Sequence, residues 1–151
     1  MKKIVLLAVC IVAGYIVGYA QLKDPVSWSF EATKKTGDTY EVIITANFSK
    51  PWHVYSQSTP DGGPIPTKIT FNINPLIKLE GKTKETGKLE KINDKIFGIP
   101  VHFYSDKIVY TQLVKVKAGI KTNISGFVKY MACDDKECTP PTKKTFDIKL
   151  Q

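Results

Sequence analysis

The chain has 151 residues, of which 42% are hydrophobic and 24% charged, with a formal charge of +8. That length suits one domain with a real core once an export segment is removed, and excludes two. All 22 basic residues are lysines, and they are scattered. Without the arginine fork that reads phosphates and guanines, the basic balance argues against nucleic-acid binding and for a solvated surface weakly attractive to acidic partners or anionic envelope surfaces.

The chain opens with Lys2 and Lys3, then runs uncharged from Ile4 to Val17, and Gly18-Tyr19-Ala20 supplies small residues at −3 and −1. This is the pattern of a secretory signal peptide, residues 1–20, cut between Ala20 and Gln21. A retained anchor is the alternative, but the run falls short of the roughly 20 residues that span a bilayer. Leu7-Ala8-Val9-Cys10 loosely resembles a lipobox, yet Cys10 sits early and the apolar run continues past it. Residues 21–151 are therefore expected as one exported, soluble domain, without a membrane span. Loss of Lys2 and Lys3 takes the formal charge from +8 to +6.

The mature part reads as short alternating strands. Val26 to Phe30 alternates, and Gly37-Asp38 marks a turn. From Tyr40 to Phe48, residues Tyr40, Val42, Ile44, Ala46 and Phe48 share one face. Trp52 to Ser56 is a short aromatic strand, and residues 59–66 are a loop dense in proline and glycine. Lys68 to Ile73 alternates again, with Ile69, Phe71 and Ile73 inward. The Lys-, Glu- and Gly-rich stretch from Leu79 to Lys95 is weakly patterned and reads as exposed strand or loop. Val101–Tyr104, Ile108–Val116, Thr122–Cys133 and Lys143–Leu150 complete the set, with Phe146, Ile148 and Leu150 pointing one way. No segment carries helical periodicity over three turns. The pattern predicts an all-β fold, an immunoglobulin-like antiparallel β-sandwich.

Export allows disulfides, and only Cys133 and Cys138 remain after cleavage. Asp134, Asp135, Lys136 and Glu137 separate them, and Pro140-Pro141 stiffens the return. Two cysteines flanking a tight hairpin can reach the roughly 5.5–6 Å Cα separation a disulfide needs. A structural staple is one reading, but so short a loop adds only about 2 kcal/mol, and a sandwich of this size has its own core. A redox-active pair at a hairpin tip is the favoured reading. A metal site with His53 and His102 is a third, though no ligand spacing supports it. Three acidic neighbours disfavour a thiolate, so the thiols should titrate high and wait for a partner to engage them.

The segment Tyr130, Cys133, four polar turn residues, Cys138 and Pro140-Pro141 resembles the active-site hairpin of the N-terminal periplasmic domain of the DsbD thiol:disulfide interchange protein. Trp52 to Gln57 is similar to that family's aromatic strand beside the cysteines. Asn93 to Gly98, followed by Val101 to Ile108, is similar to its cap-loop region. The resemblance implies an immunoglobulin-like carrier, with possible protein-disulfide reductase activity, that exchanges electrons with thioredoxin-fold proteins without a cofactor or metal. Cys138 would form the mixed disulfide and Cys133 would resolve it. Tyr55 and Tyr130 would belong to the pocket, Ile96 or Phe97 to the cap, and Asp94 would be the cap's acidic neighbour. The turn between the cysteines is one residue shorter than in the best-known members. The membrane segments and C-terminal thioredoxin domain of DsbD do not follow here, so donor and acceptor would be separate proteins and the carrier a periplasmic monomer. The rival from another class is a non-catalytic binding module, with residues 59–66, Trp52 and Tyr55 as its surface.

Overall fold

The computed structural model describes residues 24–94 and 98–151. The expected signal peptide, Cys10, Ile96 and Phe97 lie outside them. Eleven strands follow one another among the described residues: β1 (Val26–Lys34), β2 (Thr39–Phe48), β3 (His53–Tyr55), β4 (Lys68–Phe71), β5 (Ile77–Gly87), β6 (Glu90–Asn93), β7 (Pro100–Tyr104), β8 (Lys107–Val116), β9 (Thr122–Tyr130), β10 (Ala132–Cys133) and β11 (Thr142–Leu150). They form three antiparallel sheets, ordered β1-β2-β8-β5, β11-β9-β4 and β10-β3-β7-β6. The fold is the immunoglobulin-like β-sandwich that the alternation predicts. Among the described residues no helix is long and apolar enough to cross a membrane.

The body of the sandwich is built by period-two burial. Tyr40, Val42, Ile44 and Ala46 on β2 pack with Ile108, Tyr110, Val114 and Val116 on β8. The same core takes Ile124, Val128 and Tyr130 from β9 and Phe146, Ile148 and Leu150 from β11. Aromatic pairs tie the two layers: Trp28 lies 5.0 Å from Tyr130 and Phe30 5.3 Å from Phe146, centroid to centroid. Such pairs add about 0.5–1.5 kcal/mol each beyond the area they bury.

Gly126 makes one of these contacts feasible. It faces Phe71 on β4 and Phe146 on β11 in register, and those two rings meet edge to face at 5.7 Å. A Cβ at Gly126 would sit 2.2 Å from the Thr70 carbonyl oxygen and 2.7 Å from the Phe146 ring. A missing side chain in a strand here admits two aromatic neighbours.

Two details differ from the sequence reading, and a third narrows it. Ile73 is fully exposed, because β4 ends at Phe71 and the chain has already turned. Asn74 organises that turn: its side chain accepts from Leu76 N at 3.0 Å and donates to Asn123 O at 2.9 Å. The weakly patterned stretch after Leu76 holds an eleven-residue strand, β5, on the edge of its sheet. An edge strand with one solvated face needs few apolar residues, so the pattern left exposed strand and loop both open. The single strand expected from Thr122 to Cys133 is broken at Met131: β9 pairs with β11 and β4, whereas β10 pairs with β3. The chain changes sheets at that residue and delivers the cysteines to the edge of the small sheet.

Candidate functional site

The small sheet has two unlike faces. Directly opposed residues in an antiparallel pair share a face, and neighbours along a strand alternate. Ala132 opposes Val54, and Val54 opposes Tyr104; all three are buried in the main core. The other face therefore carries Cys133 opposite His53, Tyr55 opposite Phe103, Phe103 opposite Glu90 and Val101 opposite Ile92. On this outer face Tyr55, Val101 and Cys133 form a second buried cluster, with Ile99, Phe103 and Met131 packed on it.

Cys133 and Cys138 are joined by a disulfide, and they also face each other as an isolated antiparallel bridge. Their Cα atoms lie 4.0 Å apart. That is closer than the separation expected from sequence, because cross-strand neighbours approach more closely than the typical disulfide pair. The turn between them is held locally. Asp134 N donates to Glu137 O at 2.9 Å, and the Asp134 carboxylate accepts from the backbone N–H groups of Lys136 at 2.8 Å and Glu137 at 2.7 Å. Thr139 clamps the return strand, donating from its N–H to Ala132 O at 2.7 Å and accepting from Ala132 N at its hydroxyl at 3.1 Å.

The two half-cystines differ in exposure. Cys133 is 2% exposed, whereas Cys138 is exposed. Cys138 opens onto a groove of about 230 Å³ whose walls include Asp24, Pro25, Trp52, Thr139 and Pro140. Of the two half-cystines, Cys138 is thus the one that faces solvent.

The residues named from the sequence are only partly gathered. Tyr55 packs in the cluster with Cys133. Asp94 opens the turn between β6 and β7: its N–H donates to Ile99 O at 3.0 Å and its carbonyl accepts from Gly98 N at 2.8 Å. Gly98 has φ +67°, a left-handed conformation that suits glycine at this closure. Tyr130 lies elsewhere. It is buried in the main core, and its hydroxyl donates to Asp24, one wall of the Cys138 groove. Its contact with the site therefore runs through Asp24. Alternation alone could not tell this, since the chain changes face and sheet between Tyr130 and Ala132.

His53 is the site residue whose place the sequence reading missed. Its ring lies 4.7 Å from Phe103 and 5.4 Å from Tyr55, and its Nε2 is 3.4 Å from the Tyr55 hydroxyl. Period two across Trp52–Ser56 does place His53 and Tyr55 on one face, and that was the available signal. His102 is on the opposite face, with Nδ1 3.1 Å from the Ser58 hydroxyl. The two histidines do not converge, and among the described residues no group of three or more His, Cys, Asp or Glu is arranged to hold a metal ion.

Electrostatics around the pair are mostly acidic. Backbone N–H groups of Glu137 and then Lys136 hold the Asp134 carboxyl below the ordinary carboxylate range. Burial lowers the His53 pKa from 6.5, while Asp135, Glu90 and Asp134 pull it back up. Burial raises the Tyr55 phenol, with a smaller contribution from Asp94.

A family model described as "Thiol:disulfide interchange protein DsbD, N-terminal" matches residues 21–150. Among solved structures, the N-terminal periplasmic domain of ScsB from Proteus mirabilis is similar at 15% identity and a TM-score of 0.61. The match covers 85% of this chain and 47% of that one, so the chain spans about half the length of that relative. The reduced DsbD N-terminal domain of Neisseria meningitidis is similar at 16% identity and a TM-score of 0.54, over 80% of this chain and 83% of that one. A third structure describes the complex between the DsbD and PilB N-terminal domains of Neisseria meningitidis, with 14% identity, a TM-score of 0.56, and coverage of 84% and 87%. Comparison with curated protein sequences gives no match.

Proposed function

The chain belongs to the family of the DsbD N-terminal domain, and from that premise we propose that it is a periplasmic thiol–disulfide exchange protein, passing electrons between thioredoxin-fold partners through Cys133 and Cys138. The observation that carries this reading is the unequal exposure of one disulfide: Cys138 opens to a groove while Cys133 is buried beneath the outer face of the small sheet. A staple would gain nothing from presenting one sulfur in this way.

The reaction follows from that geometry. A donor thiolate attacks Cys138 Sγ, forming an intermolecular disulfide and expelling the Cys133 sulfur. The donor's second thiolate then attacks its own sulfur in the mixed disulfide and releases Cys138. Two electrons have moved, the donor dithiol has become a disulfide, and the reduced pair reduces an acceptor disulfide by the reverse steps. Neither cysteine sits at a helix N-terminus, so the fold lacks the stabilisation that makes thioredoxin-type thiols acidic. Acidic neighbours act in the same direction. The domain is thereby suited to carry electrons between dedicated partners more than to reduce disulfides indiscriminately.

The role of Tyr55 in this reading is to wall the apolar pocket around Cys133, and the turn that begins at Asp94 supplies the cap, with Ile96 or Phe97 over the sulfurs. The complex solved for the neisserial relative, between its DsbD N-terminal domain and a PilB N-terminal domain, supports partners of that general kind.

The test is a reduction potential together with a trap. Equilibration of the Cys133–Cys138 disulfide in dithiol buffers of known poise should give a value in the range of periplasmic exchange proteins, with fast exchange. A potential below about −300 mV with slow reduction marks a structural bond instead and favours the binding-module reading. The Cys133→Ser variant should trap a thioredoxin-fold partner covalently through Cys138, and the Cys138→Ser variant should not.

A further inference from the structure

Expelling Cys133 has a chemical cost that the disulfide alone does not meet. The sulfur leaves as a thiolate, into an apolar pocket formed by Tyr55, Val101, Phe103 and Met131. Beside it lie Asp134 and Asp135, which raise the energy of another negative charge. A leaving thiolate in that place needs a proton.

We propose that His53 is the proton donor and acceptor for Cys133 in thiol–disulfide exchange. His53 and Cys133 are directly opposed in register on β3 and β10, so their Cβ atoms are cross-strand neighbours on one face, about 4.5–5.5 Å apart. Of the two histidines, His53 alone is on that face. The imidazole is also held in place: it packs between Phe103 and Tyr55, with the Tyr55 hydroxyl at its Nε2.

The surroundings suit a group that changes charge. Facing His53 are Tyr55 along β3, Cys133 with Asp134 and Asp135 on β10 and the hairpin, the uncharged Phe103 ring on β7, and Glu90 on β6. Burial favours the neutral ring and the carboxylates favour the cation, with burial the larger effect. The ring therefore favours its neutral form and gains a proton only at lower pH than an ordinary histidine.

The step balances as follows. A thiolate attacks Cys138 Sγ, the new S–S bond forms, the Cys138–Cys133 bond breaks, and the proton of the imidazolium passes to Cys133 Sγ. In the opposite direction the neutral imidazole takes the proton of the Cys133 thiol as its sulfur attacks Cys138 Sγ, and the partner departs as a thiolate. No oxidant or reductant is needed beyond the partner dithiol or disulfide.

This inference rests on the exchange reading of the cysteine pair, but its test does not require a natural partner. The rate of disulfide reduction by dithiothreitol is measured from pH 5 to 9 and divided by the dithiothreitol thiolate concentration. In the wild type the normalised rate should rise as the pH falls below the ordinary histidine range, since burial moves proton uptake by His53 downward. His53→Gln and His53→Phe should give flat profiles, with a loss of roughly 100-fold at pH 5.5, the low end for a positioned acid. The phenylalanine variant keeps a ring against Tyr55 and Phe103, so a packing defect alone would not flatten its profile. Variant profiles that follow the wild type, or a flat wild-type profile, overturn the proposal. Should both variants fail to fold, NMR titration of His53 in the oxidised and reduced wild type decides: a pKa that changes on reduction supports the coupling, and an unchanged one overturns it. Failure to trap any thioredoxin-fold partner would instead sink the carrier reading and leave this pH profile readable.

Discussion

In the two facing sheets of the sandwich every strand but β4 runs nine to eleven residues, and the inward side chains merge into one core. The sheet β10-β3-β7-β6 is made of strands of two to five residues. One of its faces closes the core, and the other holds the disulfide, His53 and Tyr55. Long strands repay precise alternation with burial along their whole length. Short strands have little to lose from a broken register, so they can present an exposed sulfur beside a buried one. Stability and chemistry are thus assigned to different parts of one small domain, as expected where a site must open locally while the body stays folded.

This division can be broken by substitution. The largest effect on stability should come from the body. Gly126→Ala forces a methyl group against the Thr70 carbonyl and the Phe146 ring, and should cost about 3 kcal/mol in chemical denaturation, at the upper end for overpacking. The potential of the disulfide should stay unchanged in the fraction that remains folded. A shifted potential would show that the two regions are coupled.

The double variant Cys133→Ser/Cys138→Ser should lose about 2 kcal/mol, the loop-entropy value for so short a closure. It should still unfold in one cooperative transition and should lose all exchange activity. Complete unfolding of this variant would assign the pair to the body and restore the staple. Thr139→Ala removes the hydroxyl that accepts from Ala132 N, and should cost about 1 kcal/mol. Reduction of the disulfide should become faster, since the return strand carrying Cys138 is then held by the backbone bond alone. A stability loss without faster reduction would separate the clamp from the chemistry.

The smallest effect concerns Tyr104, where the two regions meet. Burial, then the Glu85 carboxylate, raises its phenol from 10.0 to about 12. The folded-state value lies above the unfolded one, so its contribution is complete below pH 10 and is lost as pH rises from 10 through about 12. Tyr104→Phe should flatten stability across that window, as followed by denaturant melts at pH 9, 10 and 11. A profile as steep as that of the wild type would assign the alkaline loss to other tyrosines. Tyr110 and Tyr130 are the candidates, since burial raises both of their phenols further.

Much of the body was legible because its signal is local. Val42, Ile44, Val114, Ile124 and Ile148 are buried as period two requires. Ile73 shows the limit of that signal: alternation counts on past Phe71, although Asn74 has already turned the chain. The edge strand β5 was legible only as exposed strand or loop, because its lysines and glutamates, with much of it facing water, weaken the alternation. The cysteine hairpin was equally legible, because four polar residues between two cysteines close a turn whatever surrounds them.

The residues by themselves determined an all-β chain with one cysteine hairpin carrying an acidic turn, since alternation, turn chemistry and a four-residue spacing act over distances that the backbone spans unaided. Only the tertiary structure decided which half-cystine is buried, that Tyr130 serves the core and reaches the site through Asp24, and that His53 stands opposite Cys133. Those facts depend on the change of sheet at Met131 and on the pairing of β10 with a strand nearly eighty residues earlier in the chain. Such pairing is fixed by the burial of Ala132, Val54 and Tyr104 against the body, an energy that exists only once the sandwich has formed.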